Sequence, residues 1–387
     1  MANTLTAILP ILQDSANIVG RELVGFIPAC FKNASAARAG FNQTVNYSIV
    51  PTLAAAAVTP AATAPAGADI IQQAGSIVMD KLRKVSWNWT GEERRALSNG
   101  DIAPYQDIIG QTLQQAMRTL VNEVEASLAV EAYKGASRGF GTAGTAPFAT
   151  VNVLTDFAQI AKILDDNGTP EVDRHLVVGS AAMLNLRGVH AELWKVNEAG
   201  TSEPLRKGRI GEVMGFDLHN SFPITSAAAG TAASATTDNA GYAVGATTLT
   251  LASAGTGTIL AGDSVTFAGD TNIYTIKTGD ADVSNGGTIV LNAPGLRIAM
   301  SAATKAITMI AAHTSNVAFN RNALHLVMRA PDNGDDAAED TVEVTDTHSG
   351  LVFQMARYGQ YMQSSFELRV LYGTKATVPN FIAALIG

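Results

Sequence analysis

The sequence predicts an α+β fold of several parts, and three observations predict it. Apolar residues recur at helical spacing over 105–134, period-two segments flank a soft stretch between 41 and 89, and five short β runs follow one another between 247 and 310. At 387 residues the chain has room for two or three domains. Hydrophobic residues make up an ordinary 47%, yet charged residues are only 16% and aromatics 6%, with Ala, Gly, Thr and Ser in their place. The 26 Lys and Arg against 34 Asp and Glu leave a net charge of −8, which argues against general affinity for phosphate backbones or anionic lipid. Cys30 stands alone, so no intrachain disulfide, Cys-based zinc site or redox pair is available, and a reducing compartment is expected.

From the N-terminus, Leu5, Ile8, Leu9, Leu12, Val19, Leu23, Val24 and Ile27 fall at mixed i+3 and i+4 spacing, cut by Gly20, Gly25 and Pro28, which reads as short helices on an arm. Met1–Pro10 lacks a basic n-region and Gln13 and Asp14 follow soon after, so no secretory signal is expected there. Phe41–Pro51 alternates as a strand, and Ile77–Trp89 alternates again, so 41–89 reads as a long two-stranded excursion. Its tip, Leu53–Ala68, is Ala, Pro and Thr broken by Pro60 and Pro65, with no bulk to form a core and too little length to span a membrane. A lone hairpin is marginal in water, so this one is expected to lean on a neighbouring molecule.

Pro104 marks a helix start, and Ile109, Leu113, Met117, Leu120, Val124 and Leu128 carry one apolar face down to Gly135. Residues 135–150 read as a loop. An α/β stretch follows, with a helix over Thr155–Leu164, a buried strand over His175–Gly179, and a second helix N-capped by Ser180. Residues 197–208 read as a polar linker and Gly211–Phe222 as one strand. After Pro223 come 247–251, 264–267, 273–276, 288–291 and 305–310, divided by Gly-Asp and Asn-Gly-Gly turns: a small closed β unit over 226–316 whose ends must meet. Ala318–Ala330, an acidic loop, and strands near 351–355 and 365–372 complete the chain.

Motifs for chemistry are weak. Gly139-Phe-Gly141-Thr-Ala-Gly144 fits a dinucleotide spacing but follows a long helix and runs into Pro147, so it reads as a loop. His175, His190, His219, His313, His325 and His348 never take metal-ligand spacing. Asp332–Asp340 has oxygens enough for calcium without the order of a calcium loop, and a solvated loop is the plainer reading. Neither a P-loop nor a Gly-x-Ser-x-Gly elbow occurs. No cofactor, metal or catalytic residue is expected. Trp87 and Trp89 share a strand face and read as packing anchors at a contact between subunits.

The order of parts, with His175-Leu-Val-Val-Gly-Ser-Ala-Ala-Met-Leu184, Gly208-Arg-Ile-Gly-Glu-Val-Met-Gly-Phe-Asp-Leu218, Ala261–Gly269, Phe319-Asn-Arg-Asn-Ala-Leu324 and Phe366–Pro379, resembles the major capsid proteins of tailed bacteriophages, the Hong Kong 97 type fold. It is most similar to the coat proteins of short-tailed Salmonella-type phages, which carry an inserted β-barrel. The resemblance implies an N-terminal arm (1–40), an extended β loop (41–89), a peripheral domain (90–146 and 345–387) holding the spine helix 105–134, an axial α/β domain (147–225 and 317–344) and an inserted barrel (226–316). It further implies a virion shell of hexamers and pentamers, assembled in the bacterial cytoplasm with a scaffolding protein and a portal ring, enclosing double-stranded DNA without sequence-specific binding, and neither an enzyme nor a membrane protein. The family's barrel extends a charged loop to a neighbour; here Asp238-Asn-Ala-Gly-Tyr242-Ala is short and carries one charge, so Asp238 and Tyr242 join the candidate contact residues while a salt-bridged clasp is doubtful. A β-rich adhesin or surface-layer protein is the alternative that Thr, Ala and Gly enrichment also suits.

Overall fold

Residues 5, 8–49, 60, 73–93, 102–195, 210–224, 226–332, 338–346 and 348–387 are described by the computed structural model. The excursion tip other than Pro60, the 197–208 linker and most of the acidic run 332–340 lie outside the described residues.

The chain opens with α1 (Leu9–Glu22), where Pro10 sits in the first turn, its tolerated place, and Leu12, Ala16 and Val19 are buried on one face. A short α2 (Phe26–Ala29) leads to β1 (Phe31–Ala39), then β2 (Thr44–Ile49), β3 (Gln73–Val78) and β4 (Lys81–Thr90). The spine helix α3 spans Ile102–Lys134, a rod of roughly 50 Å at about 1.5 Å per residue. All six of the apolar positions that predict it from Ile109 to Leu128 are buried. It stops where Gly135 passes so close to Ala376 that an added Cβ would lie 2.3 Å from that residue's Cβ.

Next come β5 (Arg138–Gly141), α4 (Thr155–Asp166), β6 (Arg174–Val178), α5 (Ser180–Gly188), β7 (Glu212–Val213) and β8 (Phe216–Asn220). The β-rich part holds β9 (Ser226–Ala227), β10 (Thr248–Leu251), β11 (Ser264–Phe267), β12 (Ile273–Thr278), β13 (Gly287–Leu291) and β14 (Ile307–Met309). The return consists of β15 (His313–Asn320), β16 (Leu324–Pro331), β17 (Asp340–Thr345), β18 (Val352–Gln360), β19 (Gln363–Ala376) and β20 (Ile382–Ile386).

Two sheets organise these strands. A six-stranded sheet runs β1-β16-β19-β18-β17, with β4 along the second edge of β19. The spine helix packs on it through Leu113, Met117, Leu120 and Leu128 against Leu326, Leu368, Val370 and Tyr372, and α1 joins the same core. A twelve-stranded sheet runs β10-β13-β12-β5-β20-β15-β6-β8-β7, carrying β9, β11 and β14 off this path. Phe157, Ile160 and Leu164 of α4 and Leu186 of α5 cover Leu176, Val178, Phe216 and Leu385 in a second core. The chain passes directly between the sheets at two turns of 3-10 helix, Arg321–Ala323 between β15 and β16 and Pro379–Phe381 between β19 and β20.

The β-rich part has its own core, including Leu249, Val265, Phe267, Tyr274, Ile276 and Ile289. Its pairing returns on itself: β10, β13, β12, β11 and β14 follow one another, and residues 235–238 bridge Ala306 on one side and Leu251 on the other. Its ends meet as expected, Ser226 and Ala227 pairing with Thr314 and His313. It is also sewn into the larger sheet, because Ile273 and Tyr274 pair with Gly139 and Arg138.

Several elements differ from the sequence reading. The N-terminal segment is not only short helices: β1 runs parallel to β16, and its Ala-rich sequence carries no period-two signal because this edge strand buries little besides Ala39. The excursion is a hairpin only as far as Val78. Met79, 1% exposed and hydrogen-bonded to Asn42 and Gln43, breaks the run, and β4 pairs with β19 from Lys81 to Thr90. The 135–150 loop contains β5, held between β20 and β12. The strand expected over Gly211–Phe222 is a tight hairpin, because Met214 (φ 49°) and Gly215 (φ 80°) form the left-handed two-residue turn that hairpins favour. Gly179, not Ser180, occupies the N-cap of α5, and no side chain caps it. The last strand, β20, lies beyond any element expected from the sequence. Among the described residues no helix is long and apolar enough to cross a membrane.

Candidate interaction surfaces

The β2–β3 hairpin pairs only with itself among the described residues, so the outer backbone edges of both strands have no strand partner there, although the Ser76 carbonyl on β3 is taken by Lys375. Its root is fixed by its own molecule. The Tyr47 ring lies 5.9 Å from the His325 ring, which in turn packs 4.8 Å from Phe31. Lys375 Nζ lies 5.8 Å from the Tyr47 ring centre and donates to the Ser76 carbonyl at 2.7 Å. Gly75 leaves room for Tyr47 opposite it, since a Cβ there would lie 2.2 Å from the ring as placed and the tyrosine would have to shift. Ile77 and Met79 then bury against Ala39, Val327 and Leu371. The hairpin therefore leaves the six-stranded sheet from an anchored root, with Ile49 (39%) and Val78 (42%) exposed along it.

Trp87 and Trp89 lie on one face of β4, half-buried and sharing one ring: Phe366 stacks on Trp87 at 6.1 Å and meets Trp89 edge-on at 5.6 Å. They are thus satisfied within the chain as far as packing goes. Trp87 also walls a groove against α3 with Val85, Gln111, Thr112, Gln115, Ala116 and Thr119, and its indole Nε1 is buried with no hydrogen-bond partner among the described residues. Asp238 and Tyr242 are brought together in another place, on the β-rich part. The Tyr242 hydroxyl donates to Asp238 Oδ1 at 2.7 Å and accepts from Thr250 N at 2.8 Å, while Tyr242 pairs with Met300 through its backbone. Asp238's carboxylate is spent on bracing its own turn.

Three features went unread in the sequence. The turn Tyr361-Met362 between β18 and β19 exposes its tyrosine by 92% and its methionine by 67%, with Met362 at φ 56° where Gly or Asn is the usual occupant. Glu125, 3% exposed on α3, takes hydrogen bonds from Phe26 N (2.6 Å), Ile27 N (3.0 Å) and Ser221 Oγ (2.6 Å), tying α2 and the end of β8 to the spine. Burial pushes its carboxyl above the ordinary range, against the pull of those donors. The clue to it is a carboxylate in line with apolar residues of α3, Val121, Leu128, Ala129 and Ala132, at i−4, i+3, i+4 and i+7, all of them buried. His175 and His219, far apart in sequence, sit on neighbouring parallel strands with Nδ1 and Nε2 3.1 Å apart.

The glycine-rich match resolves into backbone packing. Gly141 holds φ +127°, and a Cβ there would lie 2.2 Å from the Ile386 carbonyl oxygen, so the glycine permits β5 to approach β20. His190 is fully buried, its Nε2 3.0 Å from the Phe148 carbonyl. Among the described residues no three His, Cys, Asp or Glu side chains come together as a metal site. Cys30 is buried and its thiol is pushed up to about 12, chiefly by burial.

No protein-family model matches the chain, and no curated protein matches it. Among solved structures, the chain in the capsid structure of the cyanophage P-SCSP1u is similar at a TM-score of 0.50 and 12% identity, over 94% of this chain and 88% of that one. A chain of the bacteriophage PhiM1 mature capsid is similar at a TM-score of 0.48 and 14% identity, over 94% and 87%. A chain of Mycobacterium phage Che8 follows at 0.46 and 13%, over 89% and 84%. At such identities the likeness concerns the fold, and the mixed α+β fold is shared with the cyanophage capsid chain.

Proposed function

We propose that this chain is the major capsid protein of a tailed bacteriophage, of the Hong Kong 97 type, building a closed shell around double-stranded DNA. The observation that carries this reading is the fold-level likeness to the cyanophage capsid chain, which extends over 94% of the sequence. A shell of many copies needs contacts that are individually weak and spread over extended surfaces, so that misplaced subunits can leave. The open-edged β2–β3 hairpin suits such a contact, and so does a net charge of −8, which avoids tight binding to packaged nucleic acid.

In this reading residues 1–40 are the arm, 41–89 the extended loop, 90–146 with 345–387 the peripheral domain, 147–225 with 317–344 the axial domain, and 226–316 an inserted barrel of the kind found in Salmonella-type coat proteins. Support for the barrel comes from its separate core, its self-returning pairing and its adjoining ends. Trp87, Trp89, Asp238 and Tyr242 are the candidate contact residues, Trp87 through the groove on α3, Trp89 beside it on the same strand face, and the second pair through the turn they brace. Partners are further copies of the chain, a scaffolding protein and a portal ring, with no cofactor and no catalysis, and assembly belongs to the bacterial cytoplasm.

The test is light scattering with negative-stain microscopy of the purified protein, alone and with a scaffolding partner. Hollow particles tens of nanometres across are expected. Fibres or flat sheets would point instead to a surface-layer or adhesin protein, and a persistent monomer would end the proposal.

A further inference from the structure

The crossing between β15 and β16 carries an arrangement of side chains that packing alone does not require. Arg321, first residue of the crossing turn, places Nη2 3.2 Å from His175 Nε2, and His175 Nδ1 lies 3.1 Å from His219 Nε2. A guanidinium can only donate, so His175 Nε2 accepts. In the neutral ring its hydrogen then sits on Nδ1 and is donated to the lone pair of His219 Nε2. Both imidazoles are thus acceptors in one chain, and both must be uncharged for it to exist. The turn is fastened on each side. Arg321 N and Asn320 Nδ2 donate to the carbonyls of Asp173 (3.2 Å) and Val172 (2.8 Å), whereas Thr377 N, just past β19, donates to Ala323 at 2.8 Å.

We propose that Arg321, His175 and His219 form a proton-operated latch that ties the side of this crossing turn to β6 and β8 only while both imidazoles are neutral, in addition to the bonds that hold the turn at any pH. A proton on His175 turns Nε2 into a donor facing a guanidinium, two like charges about one hydrogen bond apart. A proton on His219 turns its Nε2 toward the Nδ1 hydrogen of His175. The first event leaves Arg321 with Asp173, whose Oδ1 stands 3.7 Å from Nη2, as its remaining partner here, and the second breaks the link from His175 to His219. The other charged groups facing the pair are Asp217, with Oδ2 3.7 Å from His175 Nδ1, and Asp173, with Oδ1 4.0 Å from His175 Nε2; the Phe319 ring closes the remaining side at 6.2 Å. Burial, His219 and Arg321 hold His175 down at about 4, and burial lowers His219 as well, so the latch is closed at neutral pH and opens in acid. The device acts within one subunit and does not depend on shell formation.

Hydrogen exchange of the full-length protein, read by mass spectrometry at about pH 7 and about pH 4 and corrected for intrinsic rates, tests it. Peptides over 315–326 are expected to lose about tenfold more protection in acid than the β13 reference over 287–292. In the double variant His175→Gln, His219→Gln, whose amides can accept and donate without titrating, the excess loss is expected to vanish; His219→Gln alone, at the half-exposed end, should reduce it. Equal protection of both wild-type regions in acid overturns the proposal without any variant. An undiminished loss in a variant protected normally at neutral pH overturns it too.

Discussion

Replacing Glu125 by Ala removes the acceptor that, among the described residues, serves the Phe26 and Ile27 amides, both buried at the start of α2. Each stranded amide costs about 1–3 kcal/mol, and Ser221 Oγ, which loses a 2.6 Å bond, can rotate to partial compensation. The expected destabilisation is about 3–5 kcal/mol, a large share of the ~5–15 kcal/mol typical of a folded domain. Glu125→Gln is milder. Its oxygen can keep the two contacts of Oε1 while its NH2 group opposes Ile27 N, so about 1–2 kcal/mol is expected. The assay is the urea midpoint of the unassembled subunit followed by circular dichroism, with hydrogen exchange over residues 23–30 to locate the change. The reasoning fails if Ala at 125 shifts stability by less than about 1 kcal/mol, or if Gln proves worse than Ala.

Gly141→Ala should lower the melting temperature markedly, since φ +127° and a Cβ 2.2 Å from the Ile386 oxygen together cost about 2 kcal/mol or more; an unchanged melting point would mean that β5 does not approach β20 as described. Phe366→Ala empties the space between Trp87 and Trp89 and should cost about 3–4 kcal/mol, with tryptophan emission moving to longer wavelength; unshifted emission would contradict the shared stack. With its thiol pushed up to about 12, Cys30 stays protonated in mild alkali and should resist alkylation until denaturant is added, so rapid labelling of the native protein would refute its burial.

The legible parts of this fold are those whose residues announce their own environment. The face from Ile109 to Leu128 marks a helix with one side in a core, and α3 buries each of those six positions. The short runs around Thr248–Leu251, Ser264–Phe267 and Gly287–Leu291 alternate or cluster apolar residues between Gly-Asp and Gly-Gly turns, and each is a strand. Ser226 and His313 ending side by side follows from inserting a compact unit into one chain. Trp87, Trp89, Asp238 and Tyr242 stood out by type, large aromatics on a strand and a charge in a turn, but their neighbours within the chain, Phe366 and Thr250, come from distant strands and could not be read from the sequence.

What periodicity could not supply was partnership. β1 and β5 have the composition of loops, Ala and Gly in place of branched side chains, and become strands because β16, β20 and β12 offer backbone donors and acceptors to them. Ile77–Trp89 alternates without interruption, yet the bonds from Met79 to the Asn42–Gln43 turn break it and send β4 along β19. The same holds for His175 and His219, unremarkable singly and joined only by strand register. Side-chain periodicity is a local property, settled over one or two turns of chain, whereas hydrogen-bonded pairing depends on which distant backbone arrives alongside. Helix, turn and core were therefore written residue by residue, and the sheets, the glycine-permitted contacts and the proton latch came into being only when the chain closed on itself.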